Sequence, residues 1–91
     1  MTIIREPAPV SDAQTVALQA LGWVLADGGR ADRFLALTGL TPESLRAGLG
    51  DSSVLGAVMD FLANHESDLV AAAEALDIAP EALAAIREKL R

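Results

Sequence analysis

Apolar side chains recur every three or four residues along most of the chain, which is the spacing of one face of an α-helix. A wide stripe, broadened by Leu18 and Leu25, predicts a first helix over about residues 12–26, and its width indicates that this helix is the central one. Runs of β-branched residues are absent, so the pattern predicts an all-α protein. The most regular stripe predicts a further helix over about residues 52–64 and consists of Val54, Leu55, Val58, Phe61 and Leu62.

Glycine, proline and capping residues divide this pattern into five to six short helices. Ser11 followed by Gln14 matches a capping box for the first helix, and Asp27-Gly28-Gly29 is expected to end that helix with a glycine in the left-handed conformation. We expect Leu45 and Leu49 of the third helix to face inward. Helices this short are marginal alone, so packing must hold them in a compact orthogonal bundle. The other helices are predicted over about residues 30–38, after the N-caps Thr41, Asp51 and Ser67, and from Pro80.

Length and the first residues suggest how the chain is organised. A chain of 91 residues forms one domain, and residues 1–10, with Pro7 and Pro9, are predicted to be a flexible arm before a single helical domain over residues 11–91. The start of the chain has no secretory signal pattern, and no apolar run is long enough to span a membrane. There is no cysteine, hence no disulfide and no cysteine zinc site. We predict a cytoplasmic protein.

The distribution of charge disfavours partners with a phosphate backbone. The chain has 13 Asp and Glu residues against 7 Lys and Arg residues, which gives a formal net charge of −6. No Lys or Arg stands between Arg46 and Arg87. Phosphate groups are repelled by such a surface. The composition therefore disfavours nucleic acid and favours either a basic partner or simple solubility, of which solubility is the commoner explanation.

Two helix–turn–helix corners share one local pattern. Leu40-Thr41-Pro42-Glu43-Ser44-Leu45 aligns with Ile78-Ala79-Pro80-Glu81-Ala82-Leu83, and Asp77 stands where the first corner has Gly39. In both corners a proline fixes φ at a helix start, and a glutamate suits the positive end of the helix dipole. Both Gly39 and Asp77 tolerate the left-handed conformation that a helix end prefers. Local geometry therefore explains the resemblance between the corners.

A DNA-reading helix-turn-helix is the functional alternative for these corners. The second helix of such a motif begins with basic or polar residues that meet the base edges. The first corner offers only Arg30 and Arg33 before the turn and Arg46 after it, a weak basic patch. The second corner carries no such residues at these positions, which hold Glu81, Ala82, Ala84 and Ala85. We interpret both corners as structural and keep DNA binding as the alternative hypothesis.

The polar segment Asn64-His65-Glu66-Ser67-Asp68 is the candidate for metal or acid–base chemistry, with Asp60 one turn before Asn64. Asp60, His65 and Glu66 would supply the functional groups, but their spacing matches no metal or catalytic motif. The alternative is a polar connector in which Ser67 caps the following helix. We favour the connector, and we expect no metal, no cofactor and no enzymatic activity.

Trp23 is the remaining candidate site residue. Its helical spacing from Val16 and Ala20 favours a place in the core. Tryptophan is also enriched at the hot spots of protein interfaces, so an exposed anchor for a partner is the alternative.

Several segments together resemble a family of small bacterial proteins classed only as a domain of unknown function. They are ALGWVLAD at 20–27, RFLALTGL at 33–40 and VMDFLANHE at 58–66, followed by the proline-started last helix. The resemblance covers about residues 13–90. It implies a compact helical domain in a bacterial cytoplasm, and it implies no activity, so no catalytic residue is carried over.

The fraction of apolar residues suggests a function in protein interaction. At 52% it is high for a chain too small to bury all of its apolar surface. We therefore predict a non-enzymatic module that binds another protein, or a second copy of itself, through an apolar helix face. The alternatives are a DNA-binding accessory protein and a small enzyme or metal protein centred on Asp60, His65 and Glu66.

Overall fold

Six α-helices account for nearly all of the chain that the structure describes. The structure is a computed structural model that describes residues 9–90, and within this range it contains no β-strand, which confirms the all-α class. In chain order the helices are α1 (Pro9–Leu25), α2 (Gly28–Thr38), α3 (Pro42–Ala47), α4 (Ser52–Ala63), α5 (Glu66–Leu76) and α6 (Pro80–Lys89).

α1 lies at the centre of the bundle, as its wide apolar stripe predicts. It packs against α2, α4, α5 and α6, and α4 and α6 also pack against each other. The buried face of α1 includes three alanines, Ala13, Ala17 and Ala20, whose small side chains leave room for larger neighbours. The largest contribution of fully buried bulky side chains comes from α4, namely Leu55, Val58, Met59 and Leu62.

An aromatic pair joins α2 to α4 inside this core. The ring centroids of Phe34 and Phe61 lie 5.3 Å apart with an interplanar angle of 83°, an edge-to-face arrangement that aromatic rings favour. Val54 packs against the edge of the core. The stripe predicted for α4 is thereby confirmed, because its other four members are buried: Leu55, Val58, Phe61 and Leu62.

The helix ends at the two corners follow the predicted local chemistry. Gly39 ends α2 with φ 74°, and Asp77 ends α5 with φ 60°, so both residues adopt the left-handed conformation. The Thr41 hydroxyl accepts a hydrogen bond from the backbone N–H of Ser44, whose own hydroxyl accepts one from the N–H of Thr41. Asp51 caps α4 by accepting a hydrogen bond from the N–H of Ser53. These four predictions are confirmed.

The first helix ends within one residue of its predicted end, but the predicted glycine cap is wrong. α1 ends at Leu25, and Asp27 serves as the N-cap of α2, accepting a hydrogen bond at 2.9 Å from the backbone N–H of Arg30. Gly28 is the first residue of α2, and among the described glycines only Gly39 has a positive φ. Because the Asp27 carboxylate starts the next helix at once, no left-handed glycine is needed between α1 and α2.

Two predicted helix starts also differ from the structure. α1 runs from Pro9 and therefore already contains Ser11, which is not an N-cap. α5 begins with Glu66, directly after His65, so Ser67 lies inside its first turn. Glu66 and Asp68 place negative charge at the positive end of the helix dipole, which stabilises this helix start without a side-chain cap. The last two residues of the predicted arm, 9–10, belong to α1, and the rest of it, residues 1–8, lies outside the described residues.

Candidate protein-interaction surface

Asp60, a member of the predicted polar site, forms an ion pair with Arg87 of α6. Nε of Arg87 donates to one carboxylate oxygen of Asp60, and Nη2 of Arg87 lies 3.3 Å from the other. The hydrogen bond to Asp60, and after it the charge of Asp60, raises the pKa of Arg87 above its usual value. Asp60 therefore connects α4 to α6.

His65 contacts the aromatic part of the core. Its Nδ1 lies 2.7 Å from the carbonyl oxygen of Phe61, and the two rings stack at a tilt with centroids 4.7 Å apart. A carbonyl oxygen only accepts, so Nδ1 carries the proton in this contact. Glu66 is exposed in the first turn of α5. Within residues 9–90, no three or more histidine, aspartate or glutamate side chains are grouped so that they could hold a metal ion.

Trp23 is half-buried and packs against the core, where it is covered by Arg30. The guanidinium carbon of Arg30 lies 3.5 Å from the centroid of the Trp23 ring, a cation–π contact. Nη2 of the same arginine donates a hydrogen bond to the Trp23 carbonyl oxygen. The position is therefore intermediate between a core residue and an exposed anchor.

The three arginines of the first corner differ in their surroundings. Arg30 covers Trp23, and Nη2 of Arg33 donates to a carboxylate oxygen of Asp68 at 2.7 Å, which links α2 to α5. Arg46 of α3 forms no ion pair with any residue in the described part of the chain. Two of the three predicted basic groups thus have partners within the molecule.

An apolar cleft opens where α1, α2 and α3 meet, and we call it the α1–α3 cleft. Its volume is about 270 Å³. One charged side chain, that of Arg46, also lines it. The apolar lining residues are Leu21, Leu25, Leu35, Pro42, Leu45 and Leu49.

The cleft has a buried floor and open walls. Leu21 and Leu45 are buried and form part of the core. Leu25, the last residue of α1, is 41% exposed, and Leu49, two residues after α3, is 42% exposed. The prediction that Leu45 and Leu49 both face inward is therefore right for Leu45 and wrong for Leu49. Two large aliphatic side chains that line one cleft are left open to solvent.

The reason why Leu49 is exposed lies in the preceding glycine. α3 ends at Ala47, and Gly48 is buried against the side chain of Val54, so the chain leaves the helical path before it reaches Leu49. The cleft was not expected from the sequence, because apolar stripes extended through the last residues of α1 and α3 place Leu25 and Leu49 in the core. The signal available in the sequence is the pair of glycines on either side of Leu49, Gly48 and Gly50, which favour the end of a helix before Leu49.

No helix among residues 9–90 has both the length and the apolar character that crossing a lipid bilayer requires. No curated protein and no solved structure matches the chain. A family model described as "Protein of unknown function (DUF3572)" matches residues 10–91, which is nearly the whole chain and includes all the segments that carry the resemblance in the sequence. The chain therefore belongs to the DUF3572 family of proteins of unknown function.

Proposed function

We propose that this protein is a non-enzymatic interaction module that binds another protein through the α1–α3 cleft. The observation that carries the proposal is the pair of half-open leucines, Leu25 and Leu49, above a buried apolar floor. A partner helix that binds in a groove inserts apolar side chains between such open walls and onto a buried apolar floor. Apolar side chains of a partner would displace water from both leucines and gain about 25 cal/mol per Å² of apolar surface buried.

The surroundings of the polar candidates support a role without catalysis. His65 is engaged with the carbonyl oxygen and ring of Phe61, and Asp60 with the guanidinium of Arg87. These contacts hold Asp60 against α6 and the His65 ring against Phe61, so a structural role is enough to explain where both side chains lie.

The partners of the arginines make DNA binding the weaker alternative. Contacts to phosphate need several basic side chains on one face. Arg30 and Arg33 have partners inside the molecule, so Arg46 alone of the three is left without one in the described part of the chain.

Photo-crosslinking from the cleft tests the proposal. A photoreactive amino acid replaces Leu49 in the full chain, and the protein is irradiated in an extract of its native cell. The matched control carries the same group at Leu37, which is 62% exposed and does not line the cleft. We expect an adduct of defined mass from position 49 that is absent from position 37 and is lost when Leu25→Gln is added. No adduct from position 49, or the same adducts from both positions, would contradict a binding site in the cleft.

A further inference from the structure

We infer that the segment bound in the α1–α3 cleft is an amphipathic helix of another protein that places an aspartate or glutamate against Arg46. This inference rests on the proposed function and specifies the chemistry of the partner. It combines two properties of the cleft, which are an apolar lining from three helices and one cationic side chain that lines it without an ion-pair partner.

The requirement for a carboxylate on the bound segment follows because Arg46 has no ion-pair partner in the described part of the chain. Its guanidinium has no carboxylate within salt-bridge distance among residues 9–90, although Glu43 lies on the same short helix. A partner that covers the cleft removes water from this guanidinium, and a buried cation without a partner destabilises the complex. A carboxylate supplies a charge-assisted hydrogen bond to arginine and fixes the register of the bound segment.

The form of the cleft favours a helix face over a small molecule. Small-molecule pockets typically measure roughly 300–1,000 Å³ and enclose most of the ligand. The α1–α3 cleft, at about 270 Å³, lies near the lower end of this range, but its two exposed leucines leave it too open to enclose a ligand. A helix bound in a groove inserts only the side chains of one face, spaced three and four residues apart, and leaves its polar face in water.

The charge of the chain argues against a second copy as the occupant. Each copy carries a formal net charge of −6, so two copies repel each other at long range. In a symmetric dimer the same patch meets itself, which would bring the two Arg46 side chains into one interface. A different protein of neutral or positive net charge that places one carboxylate beside Arg46 avoids both penalties.

Selection from a peptide library tests the inference. A library of helix-forming peptides with random faces is displayed on phage and selected on four full-length proteins, the wild type, Arg46→Glu, the double variant Leu25→Gln/Leu49→Gln, and the control Leu37→Gln. We expect the wild type and the control to select apolar residues at helical spacing together with Asp or Glu at one fixed offset. We expect Arg46→Glu to select Lys or Arg at that offset, and the double variant to select neither family.

Affinity measurements with one selected peptide then isolate the ion pair. Changing its acidic residue to glutamine should weaken binding to the wild type about tenfold, and should change binding to Arg46→Gln by less than about twofold, because the partner of the carboxylate is gone. Circular dichroism and thermal unfolding of each variant confirm that its fold is retained. Fluorescence anisotropy of the labelled peptide gives each dissociation constant.

The outcomes separate the two proposals. Peptides without an acidic preference that bind wild type and Arg46→Glu alike, but not the double variant, would overturn the carboxylate and leave the cleft as a binding site. Selected peptides that bind the double variant as well as the wild type, or no selected peptide at all, would overturn both. A concentration-dependent dimer in light scattering that the double variant loses would assign the cleft to a second copy and overturn the inference.

Discussion

The backbone of Gly48 lies against the side chain of Val54, so that a β-carbon at position 48 would stand 2.5 Å from Val54 Cγ2. The same β-carbon would lie 3.1 Å from the carbonyl oxygen of Ser44. This contact joins the end of α3 to the first turn of α4, and it sets the path on which Leu49 emerges into the α1–α3 cleft.

We expect Gly48→Ala to lower the free energy of unfolding by about 1–3 kcal/mol, because the added methyl group forces Val54 or the backbone to move. Gly50→Ala is the matched control, since a β-carbon there meets nothing within 4 Å. Urea denaturation of both variants measures the difference. Equal stability of the two would mean that the contact between positions 48 and 54 is not as close as the structure has it.

Truncation of Phe61 should lower the free energy of unfolding more than truncation of Trp23. We expect Phe61→Ala to lower the free energy of unfolding by about 3–5 kcal/mol, because Phe61 is buried and contacts both Phe34 and His65. Trp23→Ala should cost roughly 1–3 kcal/mol, below the range of fully buried aromatic residues, since Trp23 is half-buried. Chemical denaturation followed by circular dichroism compares the two, and the reverse order of the two losses would contradict this account of the core.

The same glycine-to-alanine change should act in opposite directions at two helix positions. Gly22 lies inside α1 with nothing within 4 Å of its missing β-carbon, so Gly22→Ala should stabilise the protein by roughly 0.5–1 kcal/mol. Gly39 ends α2 with φ 74°, a conformation that costs an alanine about 1–2 kcal/mol. Thermal unfolding should therefore show a higher midpoint for Gly22→Ala and a lower one for Gly39→Ala. A shift of both midpoints in one direction would contradict the assigned backbone conformations.

The cap of α4 predicts a dependence of stability on pH. The hydroxyl of Ser53, and after it the backbone N–H of Ser53, donates to the Asp51 carboxylate and lowers the pKa of Asp51 below its ordinary value. A pKa that is lower in the folded state makes stability rise with pH, so this contribution is present above the unfolded pKa and is lost as the pH falls through the folded one.

Asp51→Asn keeps a residue that caps helices well but does not titrate. The free energy of unfolding of the wild type, relative to that of Asp51→Asn, should therefore be higher at about pH 6 than at about pH 2.5. Denaturation at both pH values measures it. A difference that does not change with pH would show that the Asp51 carboxylate is not held by Ser53 in solution.

Features that depend on a few consecutive residues could be predicted from the sequence. The left-handed Asp77 and the N-cap Thr41 are local, since each needs only its own φ or a partner three residues away. The stripe of α4 was also predictable, because five apolar residues at helical spacing leave one face to bury. The central place of α1 followed from the width of its stripe in the same way.

Features that depend on tertiary contacts could not be predicted in this way. The role of Asp27 depends on which of two helices it caps, and both choices are compatible with the local sequence. The ion pairs of Arg33 with Asp68 and Arg87 with Asp60 join residues 35 and 27 positions apart, so no periodicity reports them. The exposure of Leu49 depends on the approach of Gly48 to Val54, which appears only when α3 and α4 are placed together.

The short helix α3 belongs to none of the main helix pairs, and it is held by the buried Leu45, its capping box and the tight contact at Gly48. Segments with few buried contacts open by themselves at a lower free energy than the whole domain needs to unfold. The backbone amides of α3 should therefore exchange with solvent deuterium sooner than those of α1 and α4. One wall of the α1–α3 cleft can thus rearrange while the rest of the bundle stays folded, and the binding site proposed there would then adapt to segments of somewhat different shape.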